Sequence, residues 1–225
     1  MSGRRLDLAR IEAALREQQR RFAEINAGLA APREPPDEEV VRNLVAGYAV
    51  VDRIAAAEVE LFTYGGSQHL LELNTLVLCG EDPRRRAEFE PHRKATEAWF
   101  YDAAGGNIGG LVDWYQRHAN EPPFERAAGV YVRMLSEPQL FIEGNHRTGA
   151  LVMSQILLRA GLPPFVVSLA NAKGYFDPST VIRGKRKNGY ALLFELPRIK
   201  RRFARFLRAQ SDPRFLLEPA TDAVA

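Results

Sequence analysis

Apolar side chains recur every three or four residues along much of the chain. Between residues 37 and 63 this spacing predicts one long amphipathic helix, and Asp37 is suited to cap its start. Its apolar positions are Val41, Leu44, Val45, Tyr48, Val51, Ala55, Val59 and Phe62. Similar patterns predict helices at 68–79, 108–118, 123–136, 146–160 and 197–209, so the expected fold class is mainly α.

The predicted helix at 146–160 differs from the others because apolar side chains surround most of it. Ser154 and Gln155 are its only polar interruptions between its apolar positions, which are Leu151, Val152, Met153, Ile156, Leu157 and Leu158. A helix that is apolar nearly all round is expected to be central and buried. We therefore predict a helical bundle organised round this segment.

The N-terminal part of the chain is polar and rich in arginine. Residues 4–30 favour a helix with few apolar contacts, and the proline-rich residues 31–36 end it. We divide the chain into an N-terminal helix and linker (1–36), a main domain with a basic C-terminal helix (37–210), and a tail expected to be disordered (211–225). The N-terminal helix is expected to be exposed or loosely docked.

The composition is that of a soluble globular protein. The chain has 225 residues, of which 46% are hydrophobic and 26% are charged. Cys79 is the only cysteine, so an internal disulfide is excluded, and a reducing cytoplasm is the expected location. The N-terminal residues lack the apolar stretch of a signal peptide, and no apolar run reaches the length of a membrane span, so neither feature is expected.

Positive charge is concentrated near the C-terminus. Residues 183–208 carry ten basic side chains and one acidic residue, Glu195, although the whole chain has a net charge of only +3. This asymmetry favours an anionic partner for the segment. The alternatives are a solvated helix face, or nucleic-acid binding with a steep dependence on salt.

The segment that carries candidate chemistry is 141–149, which precedes the apolar helix. Gly144 can adopt a positive φ, and successive N–H groups in such a turn form an anion-binding nest at the start of a helix. Arg147 can bind phosphate oxygens through its forked guanidinium, and Glu143 is a ligand suited to Mg²⁺. Asn145 is placed to cap the helix or to contact phosphate. The alternative is an ordinary turn into a helix, with Asn145 as its cap and Arg147 in solvent.

This segment resembles the signature of the Fic family, H-x-F-x-[D/E]-G-N-G-R-x-x-R. The positions that match are Phe141, Glu143, Gly144, Asn145 and Arg147. The resemblance covers about residues 40–165. It implies a Fic-type (Fido) helical bundle with a short β-hairpin flap, which binds ATP or another nucleotide with Mg²⁺. In Fic enzymes AMP is then transferred to a hydroxyl group of a target protein.

Three positions depart from that signature. Gln139 stands where the family has its catalytic histidine, His146 replaces a glycine, and Ala150 replaces the second arginine. Glutamine cannot act as a general base, and loss of such a base costs about 10²–10⁴-fold in rate. His146 is a candidate substitute base, or alternatively a donor to phosphate. The sequence thus favours a nucleotide-binding protein with an altered active site, and the alternative is a catalytically inactive binding or scaffold protein.

The resemblance also implies a flap that aligns the target by strand addition. Residues 94–101 are the expected extended segment, with Thr96, Glu97, Ala98 and Trp99 as candidate target-binding residues. The alternative is an aromatic cluster that packs in the core.

Many Fic proteins are held inactive by a helix with the pattern [S/T]-x-x-x-E-[G/N], whose glutamate pairs with the second arginine of the signature. Glu24 lies in the N-terminal helix, but Arg20 and Ile25 depart from that pattern, and Ala150 removes the partner arginine. A buried carboxylate without a cation is very costly. We therefore predict that Glu24 stays in solvent and that this helix is not an inhibitory plug.

Overall fold

The computed structural model describes residues 5–187 and 189–218. Over these residues the fold is mainly α, as predicted, and only two isolated β-bridges occur in them. A π-helical turn (Ala191–Glu195) precedes the last long helix, and a short 3₁₀ turn (Pro213–Phe215) follows it. The helices are α1 (Leu8–Arg20), α2 (Phe22–Ala27), α3 (Glu38–Ala56), α4 (Gln68–Cys79), α5 (Pro83–Glu88), α6 (Glu90–Tyr101), α7 (Ile108–Arg117), α8 (Pro123–Leu135), α9 (Asn145–Arg159), α10 (Ala172–Arg183) and α11 (Leu196–Ala209).

Helix α9 is the central element of the bundle, as its all-round apolar pattern predicted. It packs against α3, α4 and α8, and its residues from Thr148 to Leu158 are buried. The side chains of its two polar residues, Ser154 and Gln155, form hydrogen bonds inside the core. Ser154 Oγ donates to the carbonyl of Ala150 (2.8 Å), and Gln155 Nε2 donates to that of Val59 (2.9 Å).

Helix α3 begins as predicted but ends earlier. Asp37 caps it by accepting a hydrogen bond from the N–H of Val40. The predicted end near residue 63 is wrong, because the helix stops at Ala56 and Glu58 adopts a left-handed φ of 54°. The N–H of Val59 donates to the carbonyl of Ile54 (2.9 Å), and this closes the last turn.

The N-terminal arm, residues 5–36, is firmly docked, which corrects the expectation of a loose helix. One continuous helix over 4–30 is also wrong, because Arg21 separates α1 from α2, and residue 4 lies outside the described residues. The few apolar side chains of the arm are nearly all used in packing, since Ile11, Leu15, Phe22 and Ile25 are buried. Burial of four such side chains is enough to fix a short helix on the core.

Polar contacts secure both ends of the arm. At its start, the buried carboxylate of Asp52 accepts from Arg5 Nε (2.8 Å) and from the N–H of Leu6 (2.9 Å). At its end, the arm binds α10, where the N–H of Ala30 donates to Asp177 (3.0 Å). The arm therefore packs as an integral part of the domain.

The C-terminal segment is partly ordered, although a disordered tail was expected from residue 211. Phe215 is buried, and its carbonyl accepts from the N–H of Asp7 (2.9 Å). The N–H of Leu217 donates to the carbonyl of Arg5 (2.8 Å). These contacts order the segment through residue 217, and residues 219–225 lie outside the described residues.

The expected extended flap is helical. Residues 94–101 belong to α6, and the β-hairpin of the predicted flap is not observed among the described residues. Lys94, Ala95, Glu97 and Ala98 favour a helix over a strand. Thr96 and Phe100, four residues apart, are the buried positions of α6. Both the helix propensity of these residues and the four-residue spacing of the buried pair favour a helix. The prediction of an extended segment was therefore wrong.

In the described part of the chain, every helix is too short or too polar to cross a lipid bilayer.

Candidate functional site

The candidate phosphate-binding turn lies between α8 and α9. Gly144 has a φ of 76°, in the left-handed region that the turn requires. A side chain there is also excluded by space, since a Cβ atom would lie 2.8 Å from Asn74 Nδ2. Asn74, on α4, donates to the carbonyl of Glu143 (2.8 Å) and to Thr148 Oγ1 (3.1 Å), so it holds the turn in place. No sequence pattern indicated this role of Asn74.

Asn145 stabilises the turn from inside. Its side chain is buried, and Oδ1 accepts from the N–H of Phe141 (2.9 Å). Its Nδ2 donates to the carbonyl of Phe141 (2.7 Å) and to Gln139 Oε1 (3.0 Å). The Asn145 side chain therefore neither caps α9 nor remains available to a phosphate, and only its backbone N–H can contact a ligand.

Backbone donors are free at the start of α9. Among the described residues, the N–H groups from Ile142 to Arg147 have no acceptor, and no side chain caps the helix. The first intrahelical bond is donated by the N–H of Thr148 to the carbonyl of Gly144 (3.0 Å). Such a series of orphan donors at the positive end of a helix dipole favours an anion.

His146 and Arg147 face a cleft of about 570 Å³, which we call the α9 cleft. Its opposite walls are the linker of the arm, residues 31–36, and helix α10. Arg33 from the linker and Arg183 from α10 also line it. The arm therefore contributes to the candidate site through its linker, which sequence reasoning missed because 31–36 has no recognisable binding motif.

Among the described residues, no carboxylate pairs with the arginines of the α9 cleft, although Glu34 also lines it. In the described residues, Arg33, Arg147 and Arg183 form no ion pair, and their contacts to protein are with neutral groups. Arg147 Nη1 donates to the carbonyl of Val77 (2.8 Å), and Arg33 Nη2 donates to Ser179 Oγ (3.0 Å). Burial lowers the pKa of Arg147, and nearby Glu143 offsets this only in part. Arg33 and Arg147 are half-buried and Arg183 is exposed, and guanidinium groups without an ion-pair partner favour an anionic ligand.

His146 is kept neutral by its surroundings. Burial, with repulsion from Arg33, Arg183 and Arg147, lowers its pKa to about 3. The hydroxyl of buried Tyr131 lies 3.2 Å from His146 Nδ1. The hydroxyl can donate to this nitrogen when the neutral ring carries its proton on Nε2. His146 then presents a donor, and so low a pKa makes it a poor general base.

The remaining predicted site residues are dispersed round the turn. Gln139 Oε1 is bound by Asn145, and the Gln139 carbonyl accepts from Trp99 Nε1 (3.0 Å). Ala150 is buried, so no cation is present at that position. Glu143 is exposed at the turn. Within the described residues no cluster of three or more metal-ligating side chains exists, so Glu143 is a single carboxylate.

The candidate target-binding residues lie on helix α6. Thr96 is buried, and its hydroxyl has no partner within the described structure. Glu97 and Ala98 are exposed, and Trp99 contacts the loop that precedes α9. Helix α6 therefore contacts the loop before α9 through the side chain of Trp99. It offers no strand edge for a target.

Glu24 lies outside the α9 cleft. Its carboxylate forms an ion pair with Arg21, where Glu24 Oε2 accepts from Nη2 (2.7 Å), and both side chains are exposed. The side chains that α1 and α2 direct to the cleft are Leu15, Gln18 and Phe22. The helical part of the arm thus packs beside the phosphate turn without placing a carboxylate in it.

The chain was compared with known proteins. No protein-family model matches it, and no curated protein sequence matches it. It is similar to the crystal structure of a Fic domain containing signaling protein from Bacteroides thetaiotaomicron, with 16% identity and a TM-score of 0.48 over 89% of this chain and 86% of that one.

It is also similar to a fragment of Fic-1 from C. elegans, with 19% identity and a TM-score of 0.46. That match covers 90% of this chain, which spans only 58% of the solved Fic-1 chain.

Proposed function

We propose that this chain is a Fic-type protein that binds a nucleotide or another phosphorylated ligand in the α9 cleft. The observation that carries the proposal is that free backbone N–H donors lie beside arginines that form no ion pair within the described residues. In the described part of the chain, the N–H groups at the start of α9 lack acceptors, and His146 and Arg147 from this helical turn line the cleft. These donors recognise the same chemistry, a phosphate group.

The shape of the cleft agrees with a ligand larger than phosphate. A volume of about 570 Å³ lies within the usual range for small-molecule sites. Apolar side chains of the arm and of α10, among them Phe22 and Phe176, also line the cleft. A ligand with a phosphate group and an aromatic base would place the phosphate at α9 and the base against these side chains.

Glu143 is suited to a supporting Mg²⁺ ion. Its carboxylate is exposed beside the turn and forms no ion pair within the described residues. Mg²⁺ in nucleotide sites is commonly held by one or two carboxylates together with phosphate oxygens. A single carboxylate therefore fits a metal that arrives with the nucleotide, and the ion would neutralise phosphate charge.

The altered residues favour binding without the usual transfer. Gln139 is an amide engaged by Asn145, and it cannot take a proton from a target hydroxyl. His146 is neutral, but its low pKa makes it a poor base, and its Nδ1 lies within hydrogen-bond distance of the Tyr131 hydroxyl. The proposed ancestral-type reaction, AMP transfer to a protein hydroxyl, is accordingly absent or slow in this chain.

The test is calorimetry of the intact chain with ATP, GTP, CTP, UTP and inorganic phosphate, each with and without Mg²⁺. We expect at least one nucleotide to bind, and Mg²⁺ to tighten it. No heat of binding from any of these probes would overturn the proposal. A Glu143→Gln variant should lose the Mg²⁺ effect and keep most of the metal-free affinity.

Transfer is tested separately, with the same nucleotides carrying a label on the α-phosphate. The wild-type chain should show little self-labelling, and Gln139→His should raise it if the rest of the site is intact. Strong wild-type labelling that persists in His146→Ala would contradict the assignment of a disabled base. Binding with no labelling in either form favours the alternative function, a catalytically inactive binding or scaffold protein.

A further inference from the structure

A second cleft, of about 510 Å³, lies where α7, α8 and the start of α11 meet. We call it the Trp114 cleft. It is lined by side chains from all three elements, and residues of the α9 cleft do not take part in it. The candidate chemistry described above therefore does not account for it.

The centre of the Trp114 cleft is an indole surrounded by basic groups. The Arg133 guanidinium lies 4.9 Å from the centroid of the Trp114 ring, and Lys200 Nζ lies 5.6 Å from it. The ring of His118 stacks on the indole at 4.3 Å. A Cβ atom at Gly129 would lie 2.1 Å from the indole, so only glycine allows α8 to approach it. These contacts fix the basic groups in place.

The basic groups are only partly neutralised. Glu121 binds Lys200 through both carboxylate oxygens, at 2.6 and 2.7 Å. Among the described residues, Arg117, Arg133 and Arg201 have no ion-pair partner, and Glu125 is the one other carboxylate that lines the cleft. Three arginines against one unpaired glutamate leave an excess of positive charge.

Arg133 is the least compensated of these groups. It is half-buried, and burial together with repulsion from Arg117 lowers its pKa to about 10. Lys187, which donates to the carbonyl of Pro138 (2.5 Å), is a further nearby cation, and burial and Arg133 lower its pKa to about 8. Half-buried cations that repel one another are costly unless an anion joins them.

His118 adds a directional group at the edge of the cleft. Its Nδ1 lies 2.7 Å from the carbonyl of Trp114. Because a carbonyl can only accept, Nδ1 carries the proton in this contact, and Nε2 remains for a ligand. The cleft therefore combines forked cationic donors with a separate nitrogen of fixed orientation.

We propose that the Trp114 cleft is a second binding site, which takes a small molecule bearing a phosphate or carboxylate group. Arg133 contacts the oxyanion through its fork, and Arg117 and Arg201 supply charge at the rim. Phosphate and carboxylate share this recognition chemistry. A volume of about 510 Å³ leaves room for a ligand of metabolite size.

The two tryptophans of the chain allow a direct test. Trp114 lies in this cleft, whereas Trp99 contacts the loop before α9. In protein labelled with ¹⁵N-tryptophan, the indole N–H resonances are followed during titration with inorganic phosphate or with citrate. A Trp99→Phe variant assigns the Trp114 signal. We expect a saturable shift of that signal with at least one probe, and the same shift when Arg147→Ala has removed the α9 site.

Matched variants distinguish ligand binding at a specific site from attraction of the ligand by net positive charge. Arg133→Gln should weaken the saturable shift by about 10-fold or more, the scale expected for hydrogen bonds to a charged group. Arg201→Gln, on the exposed rim, should weaken it by about 3-fold, and it keeps the test valid if Arg133→Gln does not fold. Arg198→Gln removes the same charge from the exposed face of α11, outside the cleft. It should change the affinity by less than about 2-fold.

A Trp114 resonance that neither phosphate nor citrate shifts saturably would overturn the proposal. An equal loss in Arg201→Gln and Arg198→Gln would also overturn it, because the binding would then depend on net charge alone. Saturation by phosphate only, or by citrate only, identifies the preferred oxyanion.

Discussion

The two clefts are similar in size and basic character, but they are built from different elements. The α9 cleft is formed where the start of α9, the linker of the arm and α10 meet, and it offers backbone donors as well as arginines. The Trp114 cleft is formed by side chains of packed helices round an indole, and one of its cations is already paired with Glu121. Backbone donors at a helix start have fixed directions, whereas arginine side chains adapt to their ligand.

This difference explains why a sequence motif marks one cleft and not the other. A turn with a positive φ at Gly144 needs particular residues at adjacent positions, so it leaves a recognisable pattern. The arginines of the Trp114 cleft come from positions 117, 133 and 201, which are far apart in the chain. Only packing of three helices brings them together.

The largest difference between the clefts is expected in acid, because the α9 cleft holds a half-buried neutral histidine. The pKa of His146 is about 3 in the folded chain, against about 6.5 when unfolded. The unfolded chain therefore binds the proton first, and the stability that neutral His146 permits is lost as the pH falls from about 6.5 towards 3. Denaturant unfolding should show that the wild type loses up to about 1.4 kcal/mol per pH unit more than His146→Gln in this range.

If the unfolding free energies of the wild type and of His146→Gln change equally with pH, the pKa of His146 is not lowered. The comparison must use the difference between the two proteins, since carboxylates titrate in the same window. Arg133→Gln serves as a control from the other cleft, because an arginine does not titrate there.

The next largest effect is expected for Arg147→Ala. Loss of the guanidinium should weaken phosphate or nucleotide binding in the α9 cleft by about 1.5–3 kcal/mol, the usual range for hydrogen bonds to charged groups. Calorimetry measures this loss. Binding at the Trp114 cleft, followed through the Trp114 indole resonance, should not change. Equal weakening at both clefts would mean that they are one coupled site.

Arg33→Gln tests the contribution of the arm and should have a smaller effect. Arg33 is partly engaged by α10, through Ser179 Oγ (3.0 Å) and Thr180 Oγ1 (3.1 Å), so part of its donor capacity is already used. We expect a loss of about 1 kcal/mol in nucleotide affinity by calorimetry. If removal of Arg33 has no effect on affinity, the linker is a structural wall only.

The smallest effect is expected for the exposed arginines of α11. Arg198→Gln with Arg205→Gln removes two charges from a solvated face, away from both clefts. Affinities at both clefts should change by less than about 0.5 kcal/mol at physiological salt. A larger loss that disappears in high salt would show that long-range charge draws ligands to the molecule. The anionic partner predicted for residues 183–208 would then be the small ligand itself.

The sequence by itself determined most of the helical elements. The spacing of apolar residues located α4, α7, α8, α9 and α11 to within one or two residues, because burial of one helix face imposes that spacing. The all-round apolar pattern of α9 identified the central helix. The motif around Gly144 located the candidate turn, because its backbone conformation restricts the residues that can form it.

Only the tertiary structure decided how the remaining groups are used. Asn145 was expected to cap a helix or bind phosphate, but its neighbours across the turn engage its amide completely. The arm was expected to be loose because it has few apolar residues, yet those few meet a matching surface on the core. Which charges remain without a partner depends on distances between elements far apart in sequence. The uncompensated Arg33, Arg147 and Arg133, and with them both clefts, therefore became visible only in the folded chain.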